Sequence, residues 1–315
     1  MKYIVKRFFE SLATVFLIVS LVFVLMRFLP AETYFTEDEL KLLTDEQVQT
    51  ILEREGLLDP PLVQLMRFYK QLLHFDLGVS RKIKQNVPVI QLIGARYGMS
   101  MKFGLISLGI SMVLGILFGM VQARFVDKFP DNLGFAYTVF VRAVPGLVTY
   151  SLICFFGAKY LHLPSVYNIE KPFVSGIMPV ICLSLGSIAG YMIWIRRYLV
   201  DEQNKDYIKL ATVKGFTQTQ ITARHMLKNA FVPMSQQIPG AFLGTIGGSM
   251  MVERFFSVPG IGSLLTDAVS LYDTNVVQVL VMLYAFLGVM GVFLGDLTLT
   301  IFDPRVRLGK KGATR

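Results

Sequence analysis

Six long apolar segments constrain the fold of this chain more than any other feature of its sequence. They cover residues 8–29, 103–121, 133–157, 173–195, 230–252 and 276–302. An α-helix rises about 1.5 Å per residue, so each segment is long enough to cross about 30 Å of hydrocarbon. The composition, with 53% hydrophobic residues and a mean hydropathy of +0.54, exceeds what a soluble domain needs. The sequence therefore predicts an all-α polytopic membrane bundle of six transmembrane helices, forming one domain over residues 1–315.

The distribution of basic residues predicts the orientation of these helices. Three lie near the N-terminus, seven in residues 196–228 and five in residues 305–315, whereas the short loops on the other side hold Lys159, Lys171 and Arg254. Loops rich in Lys and Arg stay in the cytoplasm, so both termini are predicted to be cytoplasmic. The net charge of +9 is sorted by loop and not gathered on one soluble face, which argues against a nucleic-acid partner. We expect a multi-pass protein of the cytoplasmic (inner) membrane, in contact with lipid.

Residues 30–98 form a large extracytoplasmic segment between the first two predicted helices. Capping boxes at Thr36 and Thr44 each predict a helix start, and Gly56 suits a helix end. Apolar residues then recur at helical spacing over residues 62–73. We expect this stripe to pack on the outer ends of the spans, and a binding site is the alternative.

Residues 196–231 form a long, polar and strongly basic segment between two apolar spans. The sequence predicts a short helix over residues 204–213, a sharp turn at Gly215, and a second helix that begins at Thr217 in a capping box with Gln220. One face of the first helix holds Tyr207, Leu210 and Ala211. A helix–turn–helix of this kind on the inner face of a membrane protein indicates a docking surface.

Polar residues inside predicted spans indicate a pathway. Arg142 lies within the third span, where a charge is costly unless it faces a bundle interior or water. An alternative for Arg142 is a bond to a helix-end carbonyl or to an acidic neighbour. Gln236 and Gln237 make the fifth span polar, so we place it on the translocation path. Asp296 in the sixth span is expected to pair with a basic residue.

The loop after the fifth span, residues 253–262, reads ERFFSVPGIG. Pro259 and Gly260 are a turn signal, and their neighbours are aromatic or apolar. We therefore expect this loop, with Phe256, Pro259 and Gly260, to fold back into the outer mouth of the bundle.

No catalytic motif is visible in the sequence. It has no phosphate-binding loop, no nucleophile elbow and no zinc-protease motif. Cys154 and Cys182 both fall inside predicted spans, so neither a disulfide framework nor a zinc site is indicated. We expect a protein that is not an enzyme and that binds no metal or cofactor of its own.

Several stretches carry a resemblance to a known family. They are KRFFESLATVFLIVSLVFVLMRFLP, GLLDPPLVQLMRFYKQLLHFDLGVS, DYIKLATVKG, RHMLKNAFVP, VERFFSVPGIGSLL and GDLTLTIFDPRVRL, and they extend over nearly the whole chain. The sequence resembles the permease subunits of binding-protein-dependent ABC importers, in the dipeptide, oligopeptide and nickel group and of the first-permease type. The resemblance implies a type I ABC importer permease fold.

The same resemblance implies that residues 196–231 couple the membrane domain to an ATPase. Ala211 and Gly215 stand where the family's coupling motif has an Ala and its Gly. Lys209 and Leu210 stand where the motif has Glu and its first Ala, and His225 to Lys228 replace its Ile-x-Leu-Pro. The coupling residues implied are Asp206, Tyr207, Lys209, Leu210, Ala211, Lys214, Gly215 and Arg224. Of these, Tyr207, Leu210, Ala211 and Gly215 would form the packing surface, and Lys209, Lys214 and Arg224 are candidate charge partners.

The partners implied are a second permease subunit of different sequence, two ATPase subunits that hold ATP and Mg²⁺, and an extracytoplasmic substrate-binding protein. The function implied is ATP-driven import of peptides. Import of nickel, glutathione or another small solute by the same architecture is one alternative. An ion-coupled secondary transporter or channel is another, although that class favours a set of intramembrane carboxylates or an inverted repeat.

Overall fold

A computed structural model describes residues 2–302 of the chain. Pro304, where proline is expected to stop the last helix, and the basic tail over residues 305–315 lie outside the described residues. Within them, the chain is mostly helical, as predicted. The strands found there are β1 (Val79–Ser80) and β2 (Val87–Pro88), which pair antiparallel.

The helices follow the capping and turn signals of the sequence. They are α1 (Lys2–Met26), α2 (Glu37–Leu42), α3 (Asp45–Arg54), α4 (Pro61–Leu73), α5 (Val89–Arg124), α6 (Phe129–Ala143), α7 (Gly146–Leu161), α8 (Pro172–Gln203), α9 (Asp206–Val213), α10 (Gln218–Ile221), α11 (Leu227–Ser235), α12 (Ile238–Gly247), α13 (Met250–Phe255), α14 (Ile261–Ser270) and α15 (Thr274–Phe302). A 3-10 turn covers Ala31–Tyr34, and a π-helical turn covers Thr222–Met226. The capping boxes predicted at Thr36 and Thr44 are both present, and Gly56 adopts φ +66° after α3.

Four helices of the described chain are long and apolar enough to cross a membrane: α1, α5, α8 and α15. They contain most or all of the spans predicted over residues 8–29, 103–121, 173–195 and 276–302. The first ends three residues earlier than predicted, because α1 stops at Met26, four residues before Pro30. A fifth crossing is counted if the bent pair α6 and α7 is one span.

The span predicted over residues 133–157 is broken in the middle. α6 and α7 meet at an angle of 110°. The break falls at Val144 and Pro145, and a proline disfavours the helical conformation of the residue before it. Val144 accordingly adopts φ −80° and ψ 128°, which is extended. The straight helix predicted here is therefore corrected to a bent pair.

The span predicted over residues 230–252 is divided among α11, α12 and α13. α11 has 9 residues and α12 has 10, so neither crosses a membrane alone. Pro233 lies inside α11, Pro239 lies in the first turn of α12, and Gly248 ends α12 at φ +69°. These residues remove backbone donors or reverse the chain direction, which explains why one continuous helix does not form.

The centre of the bundle is the pair α5 and α8, which approach closely at small residues. A Cβ atom added at Gly115 would lie 2.5 Å from the Cβ of Tyr191. One added at Gly119 would lie 2.9 Å from the Cβ of Ile195. Small residues allow such contact between helices in lipid. The glycines at these two positions therefore permit the close approach of α5 and α8.

Helix α4 lies beside the C-terminal half of α1. Tyr69 Oη is 2.7 Å from Ser20 Oγ and donates to the carbonyl of Phe16 at 3.1 Å, while the rings of Phe68 and Phe23 are 5.3 Å apart. Other apolar residues of the predicted stripe point away from this contact and are exposed, at 70% for Leu62, 71% for Met66 and 80% for Leu73. The expected packing on a span is confirmed for one side of the helix only.

Candidate functional site

The turn between α9 and α10 is built around Gly215. This glycine adopts φ +84°, and its N–H donates to the carbonyl of Thr212 at 3.0 Å. The N–H of Phe216 donates to the carbonyl of Ala211 at 3.3 Å. These two bonds form a Schellman motif, which closes the C-terminus of α9 and favours glycine because of the positive φ. A Cβ at Gly215 would meet no heavy atom within 4 Å, so the requirement for glycine is conformational and not steric.

The second helix of the segment begins as predicted. Thr217 Oγ1 accepts from the N–H of Gln220 at 3.3 Å, and the Thr217 N–H donates to Gln220 Oε1 at 3.0 Å. This capping box satisfies two backbone donors at the start of α10. The predicted local structure of helix, glycine turn and helix is therefore confirmed.

Helix α9 has one buried face and one exposed face. Ile208 and Ala211, each 6% exposed, pack in a cluster with residues of α8, the π-helical turn and α11. Ala211 is thus covered by other residues of this chain, so its side chain is not available to a partner. The exposed face carries Tyr207, Leu210 and Val213, which are 37%, 55% and 83% exposed. We call these three residues the α9 face. It is an apolar surface at helical spacing on an otherwise basic segment.

The charged residues near the α9 face are mostly free to meet a partner. Lys209 Nζ lies 2.9 Å from Asp206 Oδ1, and both side chains are well exposed. Lys214 and Arg224 are exposed and make no ion pair within residues 2–302.

The Tyr207 hydroxyl group is anchored by two neighbours. It donates to Glu202 and accepts from Asn229 Nδ2 at 2.9 Å. Partial burial and the bond to the Glu202 carboxylate raise the pKa of Tyr207, so the hydroxyl stays protonated at neutral pH. These bonds fix the ring at the edge of the α9 face.

Two contacts that the sequence did not reveal hold this segment to the bundle. Arg196 makes a bidentate ion pair with Asp131, with both nitrogen–oxygen distances at 2.6 Å. Gln203 Nε2 donates to the carbonyl of Ala123 at 2.8 Å. A fork-shaped pair of charged hydrogen bonds restricts rotation as well as distance. The end of α8 that leads into α9 is therefore held to the facing ends of α5 and α6.

The predicted path residues are only partly brought together. Gln236 and Gln237 line a cavity of about 510 Å³ between α8, α12 and α15, together with Tyr191 and Trp194. Gln236 Nε2 also donates to Asp296 Oδ1 at 3.0 Å.

The pairing expected for Asp296 is confirmed by Arg7, whose Nε lies 3.4 Å from Asp296 Oδ2. Arg142 does not line the cavity at Gln236. It is exposed in the last turn of α6 and makes no hydrogen bond or ion pair in the described chain, so the bond proposed as its alternative is also not seen.

The loop over residues 253–262 is folded back and buried, as its composition predicted. Phe256 is fully buried among Phe103, Tyr167 and other apolar side chains, and its carbonyl accepts from the N–H of Tyr167 at 2.8 Å. Pro259 is half-buried and Gly260 is buried. The loop therefore presents little of Phe256 to a partner and instead closes over the bundle.

Glu253, whose role the sequence reading missed, organises this loop. The residue is 2% exposed, and its carboxylate accepts from Ser100 Oγ at 2.8 Å, the N–H of Ser263 at 3.0 Å and the N–H of Ser249 at 3.3 Å. Burial raises the pKa of Glu253, and the three donors oppose that shift by favouring the charged form. A Cβ at Gly260 would lie 2.3 Å from Glu253 Oε2, so only glycine leaves room for the carboxylate.

Asp273 makes a similar contact between segments that are far apart in sequence. Its Oδ2 atom accepts from Ser80 Oγ at 2.6 Å and from three successive backbone N–H groups, those of Arg81, Lys82 and Ile83, at 3.0–3.2 Å. Consecutive N–H groups form a concave anion-binding nest. The hairpin of β1 and β2 is thereby fixed to the start of α15.

The described residues contain no group of three His, Cys, Asp or Glu side chains that could hold a metal ion. Cys154 and Cys182 are both free thiols. The candidate sites of the described chain are surfaces and a cavity.

The fold and these sites define a class of protein, a helical membrane permease. Residues 115–308 match the family described as binding-protein-dependent transport system inner membrane component, and the chain belongs to that family. Subunits of this family are not the catalytic components of their transporters.

Among curated relatives, the dipeptide transport system permease protein DppB of Lactococcus lactis subsp. cremoris is 32% identical over 98% of this chain and 99% of its own length. The oligopeptide transport system permease protein OppB of Escherichia coli K12 is 29% identical over 98% of this chain and 99% of its own length.

Two further comparisons are less complete. The oligopeptide transport system permease protein AmiC of Streptococcus pneumoniae is 34% identical, but the match spans 66% of this chain and 42% of that protein. A solved structure titled as inward-facing conformations of the MetNI methionine ABC transporter matches with a TM-score of 0.52. At 15% identity, covering 68% of this chain and 97% of the other, it supports the permease fold alone.

Proposed function

We propose that this chain is the permease subunit of an ATP-driven ABC importer and that it forms part of the translocation path for peptides. The observation that carries the proposal is the exposed α9 face, held in place by the Schellman turn at Gly215. Near full-length similarity to two peptide permeases supports peptides as the substrate class. Nickel, glutathione or another small solute is the alternative cargo, and ion-coupled transport by the chain alone is the alternative mechanism.

The α9 face suits a docking surface because its supports are rigid. The opposite face of α9 is buried at Ile208 and Ala211, and the preceding helix is tied by the pair of Arg196 with Asp131. Closure of two ATPase subunits around ATP would move two such segments toward each other. A rigid connection would transmit that motion to α8 and α11 and open the path on the opposite side of the membrane.

The chemistry of ATP belongs to the partners in this proposal. The chain binds no cofactor of its own, and the ATPase subunits hold ATP and Mg²⁺. Asp206, Lys209, Lys214 and Arg224 supply charged contacts around the α9 face, and Gly215 sets the angle between its two helices. A second permease of different sequence completes the path, and Gln236 and Gln237 face it from this subunit.

The proposed topology has six crossings in a type I importer permease. In this topology α11 and α12 together supply the fifth crossing, and the bent pair α6 and α7 supplies the third. Both termini are cytoplasmic, and residues 30–98 lie outside. A substrate-binding protein docks at the outer mouth beside the loop that contains Phe256, Pro259 and Gly260, where Pro259 is the most accessible of the three.

The test is co-purification of the tagged chain with its genomic neighbours, followed by an ATPase assay. Gly215→Val is expected to weaken association and to abolish transport while leaving the chain inserted, because a β-branched residue disfavours the positive φ that the Schellman turn requires. Thr219→Val is the matched control, since Thr219 is exposed in the same segment and lies in the regular helix α10.

The outcomes separate the candidate functions. Association with ATPase subunits that Gly215→Val weakens and Thr219→Val does not would support the coupling role. Uptake assays with dipeptides, longer peptides, Ni²⁺ and glutathione then decide the cargo. Normal transport by Gly215→Val would contradict the coupling turn, and transport by the isolated chain in liposomes without ATP would establish the ion-coupled alternative.

A further inference from the structure

A polar cavity of about 220 Å³ lies where the outer segment meets the ends of two membrane helices. Its wall includes Arg27 just beyond α1, Gln64 and Arg67 of α4, and Gln278 of α15. We call it the outer cavity. It shares no residue with the cavity at Gln236 or with the α9 face, so its chemistry is not explained by the functions assigned above.

The outer cavity collects polar atoms that lack a partner. Within residues 2–302, seven buried side-chain nitrogen and oxygen atoms have no hydrogen bond, and five of them belong to residues that line this cavity. They are Arg27 Nε, Tyr34 Oη, Gln64 Oε1, Arg81 Nε and Gln278 Nε2. Buried polar groups in folded proteins are nearly always paired, so this concentration indicates an occupant that completes the missing bonds.

The unpaired atoms are mostly donors. The two arginine Nε atoms and the amide nitrogen of Gln278 can only donate, and the hydroxyl of Tyr34 can donate as well. Gln64 Oε1 is the single atom of the five that only accepts. A site with this balance is complementary to a group that carries several acceptor oxygens.

One arginine of the wall has no acidic partner and is available to a negatively charged group. Arg67 pairs with Asp59 at 2.6 Å and Arg81 pairs with Glu55 at 3.1 Å. Arg27 has no ion pair in the described chain, and its guanidinium stacks on an aromatic ring at 4.6 Å. The remaining carboxylate of the wall, that of Asp76, accepts from the N–H of Gly78 at 3.0 Å. Arg27 is therefore the arginine of the wall that lacks a carboxylate partner.

We infer that the outer cavity binds a small, singly charged oxyanion, held by the Arg27 guanidinium and the Gln278 amide. Guanidinium groups match carboxylate and phosphate oxygens in geometry and retain their charge when partly buried. The oxyanion arrives either free in solution or as the headgroup phosphate of an anionic phospholipid, because Arg27 lies at the end of a membrane helix. The inference does not rest on the proposed transport function.

The free-anion arm uses the full chain with its co-purifying subunits in neutral detergent. Its melting temperature is followed while acetate or monobasic phosphate replaces chloride at constant ionic strength. We expect a saturable rise for the wild type, and a half-saturating concentration at least tenfold higher for Arg27→Gln. Arg54→Gln is the matched control, because Arg54 is exposed in the same outer segment and does not line the cavity.

The lipid arm uses native mass spectrometry after reconstitution with phosphatidylglycerol or phosphatidylcholine. Retention of phosphatidylglycerol that Arg27→Gln lowers and Arg54→Gln preserves identifies a headgroup as the source. A response to free anions with no lipid retention identifies a soluble source. If neither anion nor lipid distinguishes the wild type from Arg27→Gln, the inference is overturned.

Gln278→Met keeps the test decisive if Arg27→Gln fails to fold. This substitution removes the unpaired amide without changing charge and with little change in volume. Loss of the anion or lipid response in Gln278→Met supports the site. A raised melting temperature with an unchanged response to anion and lipid would show that the Gln278 amide faces only water. That result would overturn the proposal that this amide binds the oxyanion.

Discussion

At the scale of a single residue, the buried ionisable group of Glu253 joins segments of this membrane protein through hydrogen bonds. A carboxylate removed from water is costly unless donors replace the lost hydration, and here one side chain and two backbone donors do so. Glycines at 248 and 260 leave space for its two oxygens. The Ser100 hydroxyl, which donates to Glu253, itself accepts from the N–H of Ile261 at 2.7 Å. The loop and α5 are thereby joined through one buried group.

The titration of Glu253 makes stability depend on pH. Burial raises its pKa in the folded chain above the ordinary value of 4.5, so the folded state holds the proton more strongly than the unfolded state. This contribution to stability is complete below about pH 4.5 and is lost as pH rises through the folded pKa.

Glu253→Gln removes the titration, so we expect the melting temperature of the wild type to fall relative to this variant as pH rises from 4.5. Glu53→Gln, at an exposed position of α3, serves as the control. A difference between wild type and Glu253→Gln that does not change with pH would show that Glu253 titrates alike in both states.

At the scale of the element, the ion pair of Arg196 with Asp131 fixes the end of α8 against α6. The Asp131 side chain is 5% exposed and that of Arg196 is 34% exposed, so the pair is only partly screened by water. Gln122 Nε2 and the N–H of Asp127 also donate to Asp131. An element held in this way moves as one piece with its neighbour.

A double-mutant cycle measures this connection. We expect Arg196→Met and Asp131→Asn each to lower the free energy of unfolding by about 1–3 kcal/mol, because each leaves a partly buried charge or donor unpaired. The double variant should cost less than the two single variants together, since the lost partner is shared. Lys209→Met with Asp206→Asn is the control, an exposed pair for which we expect little coupling. Additive effects at Arg196 and Asp131 would show that the bidentate pair does not form in the membrane.

Features that depend on neighbours in sequence could be predicted, and features that depend on distant residues could not. The capping boxes at Thr36, Thr44 and Thr217 and the glycine turn at 215 need only residues within a few positions of each other. The bend at Val144 also had a local signal, the following proline, although the prediction of one straight span overlooked it.

Longer-range contacts gave no such signal. Asp273 accepts from Ser80 across 193 positions, and Glu253 meets Ser100 across 153. No periodicity marks such pairs, because their partners are chosen by the packing of whole helices. The burial of Ala211 could not be predicted for the same reason. Its spacing in the sequence placed it on one face with Tyr207 and Leu210, but distant parts of the chain pack over it.

At the scale of the whole molecule, the chain combines firm internal connections with one apolar surface that has no partner within the described residues. The hairpin at Ser80, the loop at Glu253 and the end of α8 are each fixed by a buried carboxylate that accepts several hydrogen bonds. The α9 face, by contrast, leaves apolar side chains exposed on a basic segment. A membrane protein gains nothing in stability from such exposure in water, which favours a protein partner for that surface.

Helix α9 carries two apolar residues, Leu210 and Ile208, on opposite sides. Leu210 is 55% exposed on the α9 face, whereas Ile208 is buried on the opposite side. Leu210→Asp should leave the melting temperature of the isolated chain within a degree or two of wild type, because surface substitutions change stability by only about 0.5 kcal/mol. The same variant should lose co-purifying ATPase subunits, since a charge placed in an apolar contact must be desolvated.

Ile208→Ala should instead lower the free energy of unfolding by roughly 2–4 kcal/mol, because it leaves a cavity. Any loss of ATPase subunits in this variant should follow from unfolding of the chain. If Leu210→Asp destabilises the isolated chain, the α9 face is covered within this subunit. If it leaves both stability and ATPase association unchanged, the partner docks elsewhere.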